Sequence, residues 1–287
     1  MTRILIIGAN GMLGHVLMQW QQPGITIAGT LRGETPAPFS CLRDKQLFYG
    51  VECSDTQRLL EVFEQFRPNA VVNCAGLIKH RDEAVNTAQM IATNALFPHI
   101  LAGLCRAHNT RLIQISTDCI FSGAQGPYTE QHRADAGDIY GMTKYLGEIN
   151  DSKNLTIRTS IIGHELQVKR SLLEWAISQR GRTITGFDGT LYSGLTTTEL
   201  ARVLMLVITQ HPKLHGLYHV AGPAISKYAL LGLMNHALSL DLTIQKDTTT
   251  LCDRRLDARK FNRATGYAPP AWEAMIEALT VDTNRHE

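Results

Sequence analysis

Tyr140 and Lys144 stand four residues apart in "IYGMTKYLGE", a spacing that sets a phenol and an ammonium on one helix face. A neighbouring ammonium favours the phenolate, so this pairing predicts a phenol held below its ordinary value of about 10. Such a phenol can pass its proton to an alkoxide that forms as hydride reaches a carbonyl carbon. Upstream, "ISTD" places Thr117 where its hydroxyl can donate to the same carbonyl oxygen. Thr117, Tyr140 and Lys144 are therefore the candidate catalytic set. A YxxxK alone is common on solvated helices, and its weight here depends on what surrounds it.

The first companion is "GANGMLG", which puts Gly8, Gly11 and Gly14 directly after an apolar run at the N-terminus. Glycines at that place allow a tight turn and close approach of backbone to a pyrophosphate at a helix start. The spacing is GxxGxxG, one residue longer than the usual pattern. A plain strand-to-helix turn is the bland alternative, and the position after a strand is what argues against it. Asn10, Met12 and Leu13 belong to the same turn and join the candidate cofactor contacts. At the end of the second strand the sequence reads "GTLRGE", with Arg32 where an acid would bind a ribose 2′-hydroxyl. An arginine accommodates a 2′-phosphate, so NADP, as NADPH in preference to NADH, is the expected cofactor. A solvated arginine, with Glu34 reaching back, is the competing reading. Glu52 is placed beside the adenine edge, and Cys74, Ala75 and Gly76 in "NCAG" offer small residues for the cofactor to pack on.

These residues need a scaffold that turns strands into helices at regular intervals. "RILIIG", "GITIAGTL", "NAVVNCAG", "TRLIQIST" and "LTIRTSII" read as strands. Between them lie helical stretches: "GMLGHVLMQW"; "DTQRLLEVFEQF", with Leu59, Leu60, Val62, Phe63 and Phe66 on its apolar side; "AQMIATNALFPHILAGLCRAHN", with Pro98 as a kink; and "GMTKYLGEIND". Alternation of this kind predicts an α/β fold: a Rossmann-type, doubly wound parallel sheet covered on both faces. Residues 1–162 are expected to form the NAD(P)-binding part. The rhythm loosens afterwards. Residues 163–287 are expected to form a smaller substrate-binding lobe over the sheet's carboxyl edge, with some elements returning to the main sheet. There "SLLEWAISQ", "TTELARVLMLVITQ" and "SKYALLGLMNHAL" read as helices, "GLYHVAG" reads as a strand, and Trp175 has the spacing of a core residue.

Composition narrows the partners. Of 287 residues, 44% are apolar and 19% charged, the balance of a globular enzyme-sized chain. Lys plus Arg exceed Asp plus Glu only by 28 against 26, so global charge gives no case for nucleic acid. No signal peptide and no run of 18 apolar residues is evident. The six cysteines form no CxxC pair and no zinc spacing, so free thiols in a cytoplasmic protein and no metal are expected. A diphosphate would need local cations, and Lys169, Arg170, Arg182, Arg254 and Arg255 are the candidates in the later lobe. "CDRRLDARKF" can equally be a solvated loop, and His164 can be a plain polar loop residue.

Taken together, "GANGMLG", "STDCIFSG", "YGMTKYLGE" and "IRTSIIG" resemble the extended short-chain dehydrogenase/reductase superfamily, and within it the dTDP-4-dehydrorhamnose reductase group. "GLTTTELARVL", "GLYHVAG" and "DRRLDARKF…TGY" extend the resemblance over nearly the whole chain. It implies Thr117, Tyr140 and Lys144 as the catalytic set, with Lys144 also holding the nicotinamide ribose. Ser116 and Asn94 fall among the implied cofactor contacts, Asn94 as a structural residue or part of a proton relay. Thr117, Asp118, Cys119, Ile161, His164 and Arg254 fall among the sugar contacts. The implied activity is reduction of a keto group on a nucleoside-diphosphate-linked deoxysugar, for polysaccharide or cell-surface sugar synthesis, with a homodimer admissible. Two positions depart from the group. Cys119 stands where a tyrosine is usual, and Ile161 where a tryptophan is usual, so the sugar is left open. Cys119 is also no acid, which argues against dehydration. A sugar-nucleotide epimerase remains an alternative. So does a silent regulatory subunit, such as the one related to this group in S-adenosylmethionine synthesis.

Overall fold

A computed structural model describes residues 1–34, 39–78, 86–167 and 169–283. Its centre is a sheet of seven parallel strands. In chain order these are β1 (Thr2–Ile7), β2 (Ile25–Thr30), β3 (Gln46–Phe48), β4 (Ala70–Asn73), β5 (Arg111–Thr117), β6 (Leu155–Thr159) and a late strand, Gly216–His219. The spatial order is 3-2-1-4-5-6 followed by the late strand, so the sequence direction reverses between β1 and β4. That reversal opens a crevice at the carboxyl ends of the strands, where such sheets bind ligands.

Side chains alternate across the sheet, and this builds two cores. On β1, Ile4 and Ile6 enter one buried cluster while Leu5 and Ile7 enter the other; on β4, Val72 and Val71 divide in the same way. The helices covering these faces are α1 (Gly14–Met18), α2 (Thr56–Phe66), α3 (Thr87–Met90) running through a π-helical turn at Ile91–Leu96 into α4 (Phe97–Ala107), and α5 (Ile139–Leu146). On α2, Leu59, Val62, Phe63 and Phe66 are buried, and Asp55 caps the start by accepting from Arg58 N at 2.9 Å. Thr87–Ala107 is long and apolar enough by composition to cross a bilayer. It packs instead along β5 and α5. Pro98 lacks an N–H, so it cannot bond the Asn94 carbonyl, and the wider π-helical turn at Ile91–Leu96 precedes it.

The second half adds short strands and longer helices. These are β7 (Ile161–Ile162), α6 (Leu172–Ser178), β8 (Thr183–Phe187), β9 (Thr190–Tyr192), β10 (Leu195–Thr196), α7 (Thr197–Thr209), the late strand β11 (Gly216–His219), β12 (Ile225–Ser226), α8 (Lys227–Ala237), β13 (Thr243–Asp247), β14 (Cys252–Asp253), α9 (Arg259–Thr265) and α10 (Trp272–Thr283). β12, β9 and β14 make a small sheet beside the carboxyl edge of the large one. β11 closes the large sheet against β6.

Two expectations about elements are corrected. "GMTKYLGEIND" is helical only to Leu146. Gly147, the C-cap residue, lies against the Asn94 carbonyl so closely that any Cβ there would collide with it. Trp175 is 38% exposed rather than in the core. On α6 the buried stripe runs through Leu173 and Ala176, and Trp175, two residues past Leu173, faces outward.

Candidate active site

The glycine turn follows from the end of β1. Gly8 has φ +81°, and a Cβ on it would lie 3.2 Å from Ala75 N. Gly14 packs onto the Gly8 carbonyl with no room for a side chain. Leu13 is the residue before α1 and carries no side-chain cap, and the turn from Gly8 to Leu13 closes through Gly11 N to Gly8 O at 3.1 Å. Cys74, Ala75 and Gly76 line the facing strand end. A Cβ on Gly76 would sit 3.6 Å from Asn94 Oδ1 and 3.9 Å from Lys144 Nζ. These glycines let the turn close tightly between the ends of β1 and β4, the backbone geometry that a dinucleotide pyrophosphate fits. Arg32, exposed just after β2, lies near Cys53 together with Glu52. Both residues expected at the adenine end are thus in one place. The Cys53 thiol is pushed up to about 11 by burial and then by Glu52, with Arg32 opposing.

Asn94 is buried, and its amide is fully engaged. Oδ1 accepts from Leu77 N at 2.9 Å, and Nδ2 donates to Leu77 O at 2.9 Å and to Thr143 Oγ1 at 3.3 Å. It clamps the loop after β4 onto α5. Ser116 donates to Glu148 Oε1 at 2.6 Å. That carboxylate also receives Arg158 through Nε and Nη2, each at 2.8 Å, inside the protein. Arg158 reaches on to His219 Nε2 at 3.3 Å, and His219 Nδ1 lies 3.1 Å from Tyr128 O. Burial, then Arg158, pull His219 down to about 3, so it is neutral and donates through Nδ1. The sequence reading missed Glu148 and Arg158. Glu148 was in view as the residue four after Lys144, but nothing local marks Arg158 as its partner.

Thr117, Tyr140 and Lys144 come together where β5 ends and α5 begins. Asp138 caps α5 by accepting from Gly141 N at 2.8 Å, and this fixes the first turn that carries Tyr140. Thr117 is buried, accepts from Cys119 N at 3.1 Å, donates to Asp118 Oδ1 at 3.2 Å and hydrogen-bonds the Tyr140 phenol. The expected depression of that phenol is reversed. Burial pushes Tyr140 well above its ordinary value, and the potentials of Cys119, Asp118 and Asp138 add to this, against the Thr117 hydrogen bond. The reason is that Lys144 faces elsewhere: Nζ donates to Ile115 O at 2.6 Å, near Glu148 and Cys74. The ammonium itself is pulled down to about 8 by burial, with Glu148 and Cys74 opposing.

The candidate sugar contacts separate. Asp118, Cys119 and Arg254 meet: Arg254 Nη1 lies 3.6 Å from Cys119 Sγ. Burial, then Asp118, push the Cys119 thiol up to about 12, so it is neutral and no base. Ile161 pairs with Leu195 between β7 and β10 and leans on the main core. His164 Nδ1 lies 3.0 Å from Glu174 Oε1, which also accepts from Glu165 N at 3.2 Å. Arg255 is held by Asp253 at 2.6 Å rather than offered to a ligand. Among the described residues no His, Cys, Asp and Glu cluster could hold a metal. A cavity of about 660 Å³ lies at the opposite edge of the sheet beside Arg3, Arg67 and Asn69, away from all these groups.

Comparison with known proteins places this geometry. The family model described as RmlD substrate binding domain matches residues 1–284. A dTDP-4-dehydrorhamnose reductase from Aggregatibacter actinomycetemcomitans is 24% identical over 97% of this chain and 98% of its own. Methionine adenosyltransferase 2 subunit beta from Rattus norvegicus is 32% identical over 51% of this chain and 41% of its own. The crystal structure of dTDP-4-dehydrorhamnose reductase from Bacillus anthracis in complex with NADP superposes with a TM-score of 0.79. At 21% identity, covering 99% of this chain and 100% of that one, it shares the fold.

Proposed function

The chain belongs to the RmlD substrate binding domain family, within the extended short-chain dehydrogenases/reductases, and on that premise we propose that it is an NAD(P)H-dependent reductase of a keto group on a nucleoside-diphosphate-linked deoxysugar. The carrying observation is the meeting of Thr117 with Tyr140 at the carboxyl edge of the sheet, with Lys144 one helical turn on at Ile115 O, beside a tight glycine turn after β1. The bound nicotinamide supplies hydride. Thr117, released from Asp118 Oδ1, donates to the carbonyl oxygen, and Tyr140 gives that oxygen its proton. A phenol held high by burial is fully protonated at neutral pH and is a competent acid only when charge develops on the oxygen it faces. Lys144, released from Ile115 O, holds the ribose hydroxyls and eases the phenol's proton loss.

Arg32 supports NADPH as the preferred form, since it is exposed at the strand end where a 2′-phosphate would sit. In the same reading residues 1–162 hold the dinucleotide and 163–287 the sugar, while β11 returns to the main sheet. Six free cysteines suit a reducing cytoplasm. Ile91, Leu96, Met142, Tyr145 and Leu146 are exposed on the neighbouring turn before α4 and on α5, an apolar face suited to a second copy in a homodimer. Leu146→Glu should give monomers in light scattering.

The test is consumption of NADPH with nucleoside-diphosphate 4-keto sugars, 6-deoxyhexoses and hexuronates among them. No turnover with any of them overturns the reading. Similarity to a subunit named for methionine adenosyltransferase favours a second possibility, a regulatory subunit. Stoichiometric co-purification with another enzyme, together with no turnover, would establish that one.

A further inference from the structure

The small sheet of the second lobe brings two cations to the catalytic turn, and neither has an anion of its own. Arg254 follows β14, and its Nε is buried without a hydrogen-bond partner. Its Nη1 meets only the thiol of Cys119, a weak acceptor, at 3.6 Å. Lys227 opens α8, and its ammonium lies 3.9 Å over the ring of Tyr192 on β9. Among the described residues no carboxylate comes within ion-pair distance of either one, although both feel Asp118.

The nearby acids do not supply the missing partners. Asp118 is buried and accepts from Thr117, and burial raises its carboxyl above the ordinary range. Asp138 is engaged in capping α5, and Asp135 accepts from Ser122 through both N and Oγ. Two cations thus face one buried carboxyl, and a donor in a desolvated place stands unused. Buried polar groups in folded proteins nearly always find partners, so an orphan beside a reaction centre points to a partner that arrives with the ligand.

Position narrows what that partner is. Cys119 N bonds Thr117 Oγ1 at 3.1 Å, and the Arg254 guanidinium touches the side chain of the same cysteine. Both cations therefore border the end of β5 that would receive the keto oxygen at Thr117, within reach of a group on the ring carbon beside the keto carbon. We propose that Lys227 and Arg254 form a subsite for a carboxylate on the sugar, adjacent to the carbon that is reduced. The proposal rests on the nucleotide-sugar keto-reduction reading and sets a carboxylate where a 6-deoxy sugar carries a methyl group. Cys119 fits this arrangement, because a small thiol leaves space for the guanidinium and the carboxylate that a tyrosine would fill.

The alcohol forms are stable probes. Calorimetric titration of the NADPH-loaded protein would compare dTDP, dTDP-glucose and dTDP-glucuronate, and the same three with uridine. The glucuronate should bind about ten- to a hundredfold more tightly than the glucose, the range of a hydrogen-bonded ion contact. Arg254→Met and Lys227→Met should each shrink that preference and leave the affinity for the bare diphosphate within about twofold. Equal binding of glucuronate and glucose by the wild type overturns the proposal without needing any variant. So does a variant that loses the bare diphosphate as much as the glucuronate, because the cations would then serve the diphosphate. If no nucleotide sugar binds, the nucleotide-sugar reading itself falls, and this proposal falls with it.

Discussion

Replacing Lys144 by methionine should make the ligand-free protein more stable at neutral pH while removing its activity. Lys144 is 7% exposed, and burial pulls its ammonium from 10.5 to about 8. That difference, at about 1.4 kcal/mol per pH unit, means that keeping Lys144 charged costs the folded state about 3 kcal/mol. The hydrogen bond to Ile115 O offsets about 1 kcal/mol when it is lost, and methionine is close to lysine in length and fills the space. A net gain of about 2 kcal/mol follows. Its pH dependence is the sharper test. Between pH 8 and 10.5 the unfolded chain binds the lysine proton and the folded chain does not, so wild-type stability from this group rises with pH across that window. The penalty is complete below about pH 8 and is gone above 10.5. Urea unfolding of wild type and Lys144→Met at pH 6.5, 8 and 9.5 isolates the group, since other titrations cancel in the difference. The variant's advantage should shrink as pH rises. A variant less stable than wild type at pH 6.5 would refute the reasoning, and would show that Glu148 and Ile115 make the charged lysine a net structural asset.

Tyr140→Phe keeps the ring and removes the proton donor; kcat should fall about 10²- to 10⁴-fold while the NADPH dissociation constant, read by fluorescence titration, barely changes. Arg32→Ala should weaken NADPH and leave NADH nearly untouched, with equal loss for both counting against a 2′-phosphate contact. Glu148→Gln leaves the buried Arg158 without its charge partner and should destabilise the fold by about 3–5 kcal/mol in chemical denaturation.

Local pattern carried most of the fold to the page. The continuous apolar runs of "RILIIG" and "NAVVNCAG" require strands with two buried faces, and Ile4 with Ile6 against Leu5 with Ile7 is that requirement met. The glycine spacing after β1 and the four-residue spacing of Tyr140 and Lys144 are also local facts, fixed by chain geometry alone. The residue that ends α5 is set less locally: Gly147 must lack a side chain because the Asn94 carbonyl, 53 positions earlier, occupies the space one would need. Trp175 shows the same limit, since helical spacing names a stripe but the neighbours decide which stripe is covered.

The electrostatics of the site were decided almost wholly by tertiary structure. Sequence spacing put an ammonium on the face of a phenol and implied a depressed phenol, whereas the folded chain buries both groups and turns Lys144 toward Ile115, Glu148 and Cys74. Desolvation depends on everything packed around a group, and no stretch of ten residues contains that information. Lys227 makes the point most plainly. It is an ordinary first residue of a helix in the sequence, more than a hundred positions from Thr117, and only the docking of the small sheet onto the end of β5 sets its charge beside Asp118 and Cys119. Residue types and short spacings thus determined the scaffold and the candidate chemistry. Long-range packing determined which charges meet, because a Coulomb interaction follows distance in space and the dielectric between the groups, not separation along the chain.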